Sequence, residues 1–263
     1  MTAADSPLGH DFYCSEILRQ TDELRSHLTG ADLSVTVPTC PDWTLRELAV
    51  HVSGAHRWVA EIVRSKATSA PERLALDSKG PDGDEPDALD AWLAQGAELC
   101  ADALRDAGPD QAAWTWAGEA TAGFWARRMT HETVVHRADA AFTVGAEYRL
   151  APEVAVDTID EWLEIVSFIQ AAELAPQAAE LRGPGRSIHL HATDVPDAEW
   201  LIELGEKGLS WRRGHEKATV ALRGPLTDVM NVFYRRLPAD SPKVEVLGDA
   251  GLLDFWLQRA SFG

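Results

Sequence analysis

The hydrophobic period of this chain changes once, and that change constrains its fold more than any other feature. Up to about residue 181, apolar residues recur every three or four positions. Beyond Arg182-Gly-Pro-Gly-Arg186 they alternate, as in Ser187-Ile-His-Leu-His-Ala-Thr193 and in parts of 200–204 and 218–222. A period near 3.6 builds amphipathic helices, and a period of two builds half-buried strands. The fold class expected is therefore mixed: an all-helical part over residues 1–181 and a smaller α+β domain over 182–263. A length of 263 residues suits two such units.

Within the first part, helices are expected over about 12–28, 44–62, 88–107, 123–143 and 152–181. The second is the best defined. Thr44-Leu-Arg-Glu47 has the pattern of a capping box, and Leu45, Leu48, Val52, Ala55, Val59 and Ile62 follow on one stripe. Val37-Pro-Thr-Cys-Pro-Asp-Trp43 before it reads as extended, and 65–87, rich in Pro, Gly and Asp, as a long loop. In the second part, helices over 226–236 and 252–259 and a strand over 243–247 are expected.

Lys and Arg total 24 against 42 Asp and Glu, a formal charge of −18. A field of that sign repels phosphate backbones and anionic headgroups, which argues against nucleic acid and membrane surfaces as partners. The three cysteines are far apart and odd in number, so a reducing, cytoplasmic setting without disulfides is expected. The stretch MTAADSPLGHDFYCSE has neither a basic nor an apolar leader region, so no signal peptide is expected.

Chemistry concentrates in the helix over 123–143. Glu132 and His136, at i and i+4, lie within about 40° of each other on one face and can close on one metal ion. The segment His131-Glu132-Thr-Val-Val-His136 is not the zincin pattern HExxH. His131 and His136 point about 140° apart, so a metalloprotease is excluded and His131 reads as a packed histidine. A third ligand must come from another helix. His51 sits at the edge of the apolar stripe over 44–62, where it could be a ligand or an ordinary hydrogen-bonded histidine. Asp139 could orient a ligand or pair with Arg137. His189 and His191 share a strand face; a half-exposed face is preferred there to a second metal site. Cys40 has no catalytic partner in the sequence.

The segments Val37-Pro-Thr-Cys-Pro-Asp-Trp43-Thr-Leu-Arg-Glu-Leu-Ala-Val-His51 and His131-Glu132-Thr-Val-Val-His136-Arg-Ala-Asp139 closely resemble the mycothiol-dependent maleylpyruvate isomerase family. The resemblance extends over essentially the whole chain. It implies a DinB-like four-helix bundle followed by a sterol-carrier-like α+β domain. It also implies His51, Glu132 and His136 as ligands of Zn2+ or another divalent metal, with mycothiol, a thiol of actinobacteria, as cosubstrate. Thiolate addition to a conjugated cis alkene, rotation and elimination would make the chain an isomerase; stopping after addition would make it a thiol S-transferase. The partners implied are mycothiol and a small electrophile, with the chain a monomer or homodimer. Arg235 and Arg236 are candidates for facing a substrate carboxylate, and Trp43 and Trp125 for walling the cofactor cleft, with a plain core role the alternative for Trp43 and Trp58. A non-catalytic metal- and ligand-binding module is the alternative.

Overall fold

The computed structural model describes residues 8–71, 79–82, 85–183 and 185–260. Residues 1–7 of the stretch read as leaderless, and part of the loop expected over 65–87, lie outside them.

Thr44 begins the helix that the capping box announces. Its hydroxyl accepts from the Glu47 N–H while the Glu47 carboxylate accepts from the Thr44 N–H. This helix, α2 (Leu45–Ser65), joins α1 (His10–Leu28), α3 (Pro86–Ala107) and α4 (Ala122–Thr143) in a four-helix bundle, in which α3 and α4 each pack against both α1 and α2. Two apolar clusters fill it. One centres on Tyr13, Ile17, Trp58, Ile62, Leu104 and Trp125, the other on Leu24, Leu45, Leu48, Leu93 and Ala140. Gly96 lets α3 close on α2, since a Cβ there would stand 2.2 Å from Ser53 Oγ. That hydroxyl donates to the Trp92 carbonyl at 2.8 Å, a bond that needs the close approach. The extended Val37–Trp43 stretch forms a small antiparallel pair, β1 (Thr36–Val37) with β2 (Cys40–Thr44).

The chain divides into units Met1–Tyr148 and Arg149–Gly263, which corrects the expected division at 181–182. A helical period over 152–181 is by itself compatible with the bundle. The helix has its partners in the second unit instead. This α5 (Pro152–Ala171) carries Asp160, which accepts from Trp200 Nε1 at 2.7 Å, and Thr158, whose carbonyl accepts from Tyr234 at 2.9 Å. Trp162 packs on the Tyr234 ring at 5.1 Å. The helix also ends early. Glu173 takes φ 55 and Pro176 starts the separate short turn α6 (Pro176–Ala179). Proline lacks the N–H that an unbroken helix would need there.

The rest of the second unit is one sheet in the order β5-β4-β3-β6-β7. Its strands are β3 (Arg186–Ala192), β4 (Glu199–Gly205), β5 (Gly208–Arg213), β6 (Val220–Gly224) and β7 (Glu245–Gly248), with α7 (Leu226–Phe233) and α8 (Ala250–Arg259). β3 pairs antiparallel with β4 and parallel with β6. Ile188, Leu190, Trp200 and Ile202 form a fully buried row on β3 and β4. Among the described residues, no helix is long and apolar enough to cross a membrane.

Candidate metal centre

Helix α4 is buried almost all round, yet it is polar. Arg127, Arg128, Thr130, His131, Thr133, His136, Arg137 and Asp139 are each at most 8% exposed. Burying so many polar groups is costly unless each is paired. The pairs that α4 makes organise the site.

Glu132 and His136 meet as their spacing requires, with His136 Nε2 3.2 Å from Glu132 Oε1. Across the bundle His51 Nε2 comes within 3.0 Å of the same oxygen. One ligand atom from each of the three residues lies within 4.8 Å of the others. The His51 and His136 rings are edge to face with centroids 5.0 Å apart. Two imidazole nitrogens and a carboxylate oxygen facing one point suit zinc or a similar divalent ion, and three protein ligands leave a coordination position for another molecule.

Groups behind these three hold them. The second Glu132 oxygen accepts from Arg128 at 3.0 Å, which directs Oε1 toward the imidazoles. His136 Nδ1 donates to Asp139 Oδ2 at 2.9 Å, leaving Nε2 on the Glu132 side. Asp139 is fully buried, accepts from the Thr39 hydroxyl at 2.5 Å and has Cys40 Sγ at 3.7 Å. Asp139 therefore orients the histidine, while Arg137 pairs with Glu23 and lies over the Tyr148 ring. Cys40, His136 and Asp139 also form a donor group, with one ligand atom from each within 4.8 Å of the others.

Electrostatics follow this geometry. Burial by itself would raise the Glu132 carboxyl. The His136 and His51 hydrogen bonds and the His136 and Arg128 charges outweigh it and hold the group well below the usual carboxylate range. Burial by itself would lower the His136 imidazole. Asp139, Cys40 and Glu132 outweigh it and raise the group well above the usual histidine range.

Trp43, on β2, stands with its ring 4.5 Å from His51 and 5.8 Å from His136, so it lines the site. Trp125 does not, which corrects the expectation that it walls a cleft. It is 1% exposed, donates from Nε1 to the Trp114 carbonyl at 2.7 Å and packs edge-on against Trp58. The helical spacing that puts Trp125 near the Glu132 face also puts it two turns away, inside the core. His131 is fully buried edge-on to Tyr13, as a packed histidine should be. Arg235 and Arg236 lie in the second unit just beyond α7, which ends at Phe233 and not at 236. Arg235 takes the left-handed φ 64 that stops the helix. Of the supporting groups, Arg128 was legible as an i, i+4 partner of Glu132; Thr39 carried no such signal.

This is a His-Glu-His helical bundle followed by a sheet domain, a class that the comparisons define more closely. The family model for the mycothiol maleylpyruvate isomerase N-terminal domain matches residues 14–141, and that for the C-terminal domain of the same family matches residues 153–255. The chain belongs to the mycothiol maleylpyruvate isomerase family. Crystal structures of the mycothiol-dependent maleylpyruvate isomerase share its fold at 16% identity, covering 94% of this chain and 95% of theirs. The TM-score is 0.56 for one and 0.59 for a histidine-to-alanine mutant. No curated protein sequence gave a match.

Proposed function

We propose that this chain is a mycothiol-dependent enzyme that acts on a small electrophilic substrate, with a divalent metal of zinc class held by His51, Glu132 and His136. Its reaction is cis-trans isomerisation of a maleylpyruvate-type alkene, with S-transfer as the outcome if the thiol adduct is kept. The reading is supported by the convergence of His51 Nε2 and His136 Nε2 on one Glu132 oxygen, in a chain whose family is named for mycothiol maleylpyruvate isomerase.

When bound, such an ion supplies a Lewis-acid position that favours the thiolate form of a thiol at neutral pH. Glu132 stays ionised because Arg128 and the two imidazoles hold it so, and an ionised carboxylate is what a cation needs. Asp139 fixes the tautomer of His136 by accepting from Nδ1, which reserves the Nε2 lone pair. Trp43 covers His51 on one side and gives the thiol an apolar wall. In a protein of net charge −18, an anionic substrate needs a local cation; Arg235, exposed, and Arg236 are the proposed carboxylate-binding groups.

The test is turnover of maleylpyruvate by the purified protein, with mycothiol and zinc each supplied or withheld. Isomerisation that requires both, and that E132Q loses, is the expected result. A stable thioether with an electrophilic alkene would assign the S-transferase branch. Bound zinc with no thiol-dependent turnover of either kind would overturn the enzyme reading in favour of a ligand-binding module.

A further inference from the structure

The second unit contains a donor cluster that owes nothing to the bundle. His189 and His191 are two apart on β3 and so share a face. The antiparallel register sets Glu199 of β4 directly opposite His191. After β5 the chain turns at Gly214, which takes φ 147 and donates from its N–H to the Glu199 carbonyl at 3.2 Å. A left-handed φ of that kind suits glycine, and the turn brings His215 back over Glu199.

The outcome is three imidazoles on one carboxylate oxygen. Glu199 Oε2 lies 2.8 Å from His189 Nε2, 2.9 Å from His191 Nδ1 and 2.6 Å from His215 Nδ1. The ring centroids are 5.2 to 5.5 Å apart and the rings stand 70 to 88° to one another. Rings set nearly perpendicular in this way present their nitrogens from three directions, as ligands around a point do. A carboxylate oxygen has two lone pairs, so three N–H groups cannot all be well satisfied by it. All four donor atoms lie within 4.8 Å of one another. The His51-Glu132-His136 cluster has the same signature, two imidazole nitrogens drawn onto one carboxylate oxygen.

We propose that His189, His191, Glu199 and His215 form a second divalent transition-metal site, of zinc class, in the second unit. Three neutral imidazoles and a carboxylate are the ligand chemistry zinc takes, and four protein ligands make a tetrahedral set. Bonds of about 2.0–2.1 Å put tetrahedral donors about 3.3 Å apart, so the side chains need only swing outward by well under 1 Å from Glu199. With every position filled by protein, this site is a clamp. It ties the connection between β5 and β6, through His215, to the middle of the sheet. His189 is buried and His191 and Glu199 are half-buried, while the side chain of His215 is 73% exposed, so an ion can enter from the His215 side.

The experiment is equilibrium dialysis of the chelator-treated full chain against Zn2+, with metal counted by mass spectrometry. Wild type is expected to hold about two ions per chain. E132Q should keep the second-unit ion, and H215A and E199Q should each keep the first-unit ion while binding the second at least about tenfold more weakly. In the E132Q background, Co2+ should give the visible d–d absorption of a tetrahedral site, and H215A should weaken it. His215 is at the surface, so H215A tests the site without threatening the fold. Unchanged metal content and cobalt spectrum in both H215A and E199Q would overturn the proposal, as would an E132Q protein that binds no metal. Loss of only the first-unit ion's expected binding in wild type, with one ion still lost in E199Q, would sink the bundle reading and leave this one standing.

Discussion

Asp139 sits one helical turn beyond His136 and accepts from its Nδ1 at 2.9 Å, deep inside a helix that is otherwise packed on every side. The carboxylate is fully buried and is also held by the Thr39 hydroxyl. Replacing it by an amide, D139N, removes the charge that fixes the His136 tautomer and keeps the shape. Zinc affinity of the first unit should fall about 10- to 100-fold, measured by competition with a chelating dye. Unchanged affinity would mean that the bond does not orient the ligand.

Replacing His51 removes one of the three proposed ligands and none of the bundle's apolar stripe. H51A should lose the first-unit zinc and the thiol-dependent activity while its helical circular dichroism stays that of wild type. Collapse of helicity would make the cluster structural. Intact activity would remove His51 from the metal site.

The metal binding proposed at Glu132 and His136 would compete with a proton. Asp139, Cys40 and Glu132 raise the His136 imidazole well above the usual histidine range, so in metal-free protein it carries its proton through neutral pH. A cation must displace that proton. Zinc affinity should therefore rise with pH between pH 6 and 8, by about tenfold per unit for each proton released. Calorimetry in buffers of different ionisation enthalpy counts the protons, and a pH-independent affinity without proton release would contradict the ligand set.

His56 gives the fold an acid sensitivity of its own. It is fully buried, its Nε2 donates to Thr133 at 2.8 Å, and its Nδ1 has no hydrogen-bond partner among the described residues. Burial lowers its pKa to about 4, against 6.5 for a free histidine. The unfolded chain therefore binds a proton that the folded one refuses. Stability is full above pH 6.5 and falls as pH drops from 6.5 toward 4, by roughly 3 kcal/mol in all. Denaturant titrations of chelator-treated protein at several pH values should show this slope, and H56Q should flatten it. An equal slope in both would assign it elsewhere.

Close approach of α2 and α3 depends on the missing side chain of Gly96. G96A places a methyl 2.2 Å from Ser53 Oγ and 3.3 Å from the Ser53 carbonyl. The helices must separate or the Ser53–Trp92 bond must break, a loss of about 1–3 kcal/mol. Thermal unfolding measures it, and S53A should recover part of the loss when combined with G96A. A variant as stable as wild type would show that the interface has room.

Much of this protein is determined by local sequence alone. The stripe behind Thr44-Leu-Arg-Glu47 and the alternation through Ser187–Thr193 specify α2 and β3, because period and capping depend on neighbours within a turn or two. The Glu132–His136 pair follows for the same reason, being a property of one helix. The division at Tyr148 was decided by tertiary structure, since the apolar face of α5 fits a bundle or a sheet equally well until Trp200 and Tyr234 come to meet it. Trp125 likewise became core and Trp43 a wall of the site through packing that no spacing specifies. Convergence of His51 on Glu132, of Thr39 on Asp139 and of His215 on Glu199 joins residues far apart in the chain. Such contacts depend on helix packing and strand register, and the sequence encodes these only through the sum of many weak apolar contacts.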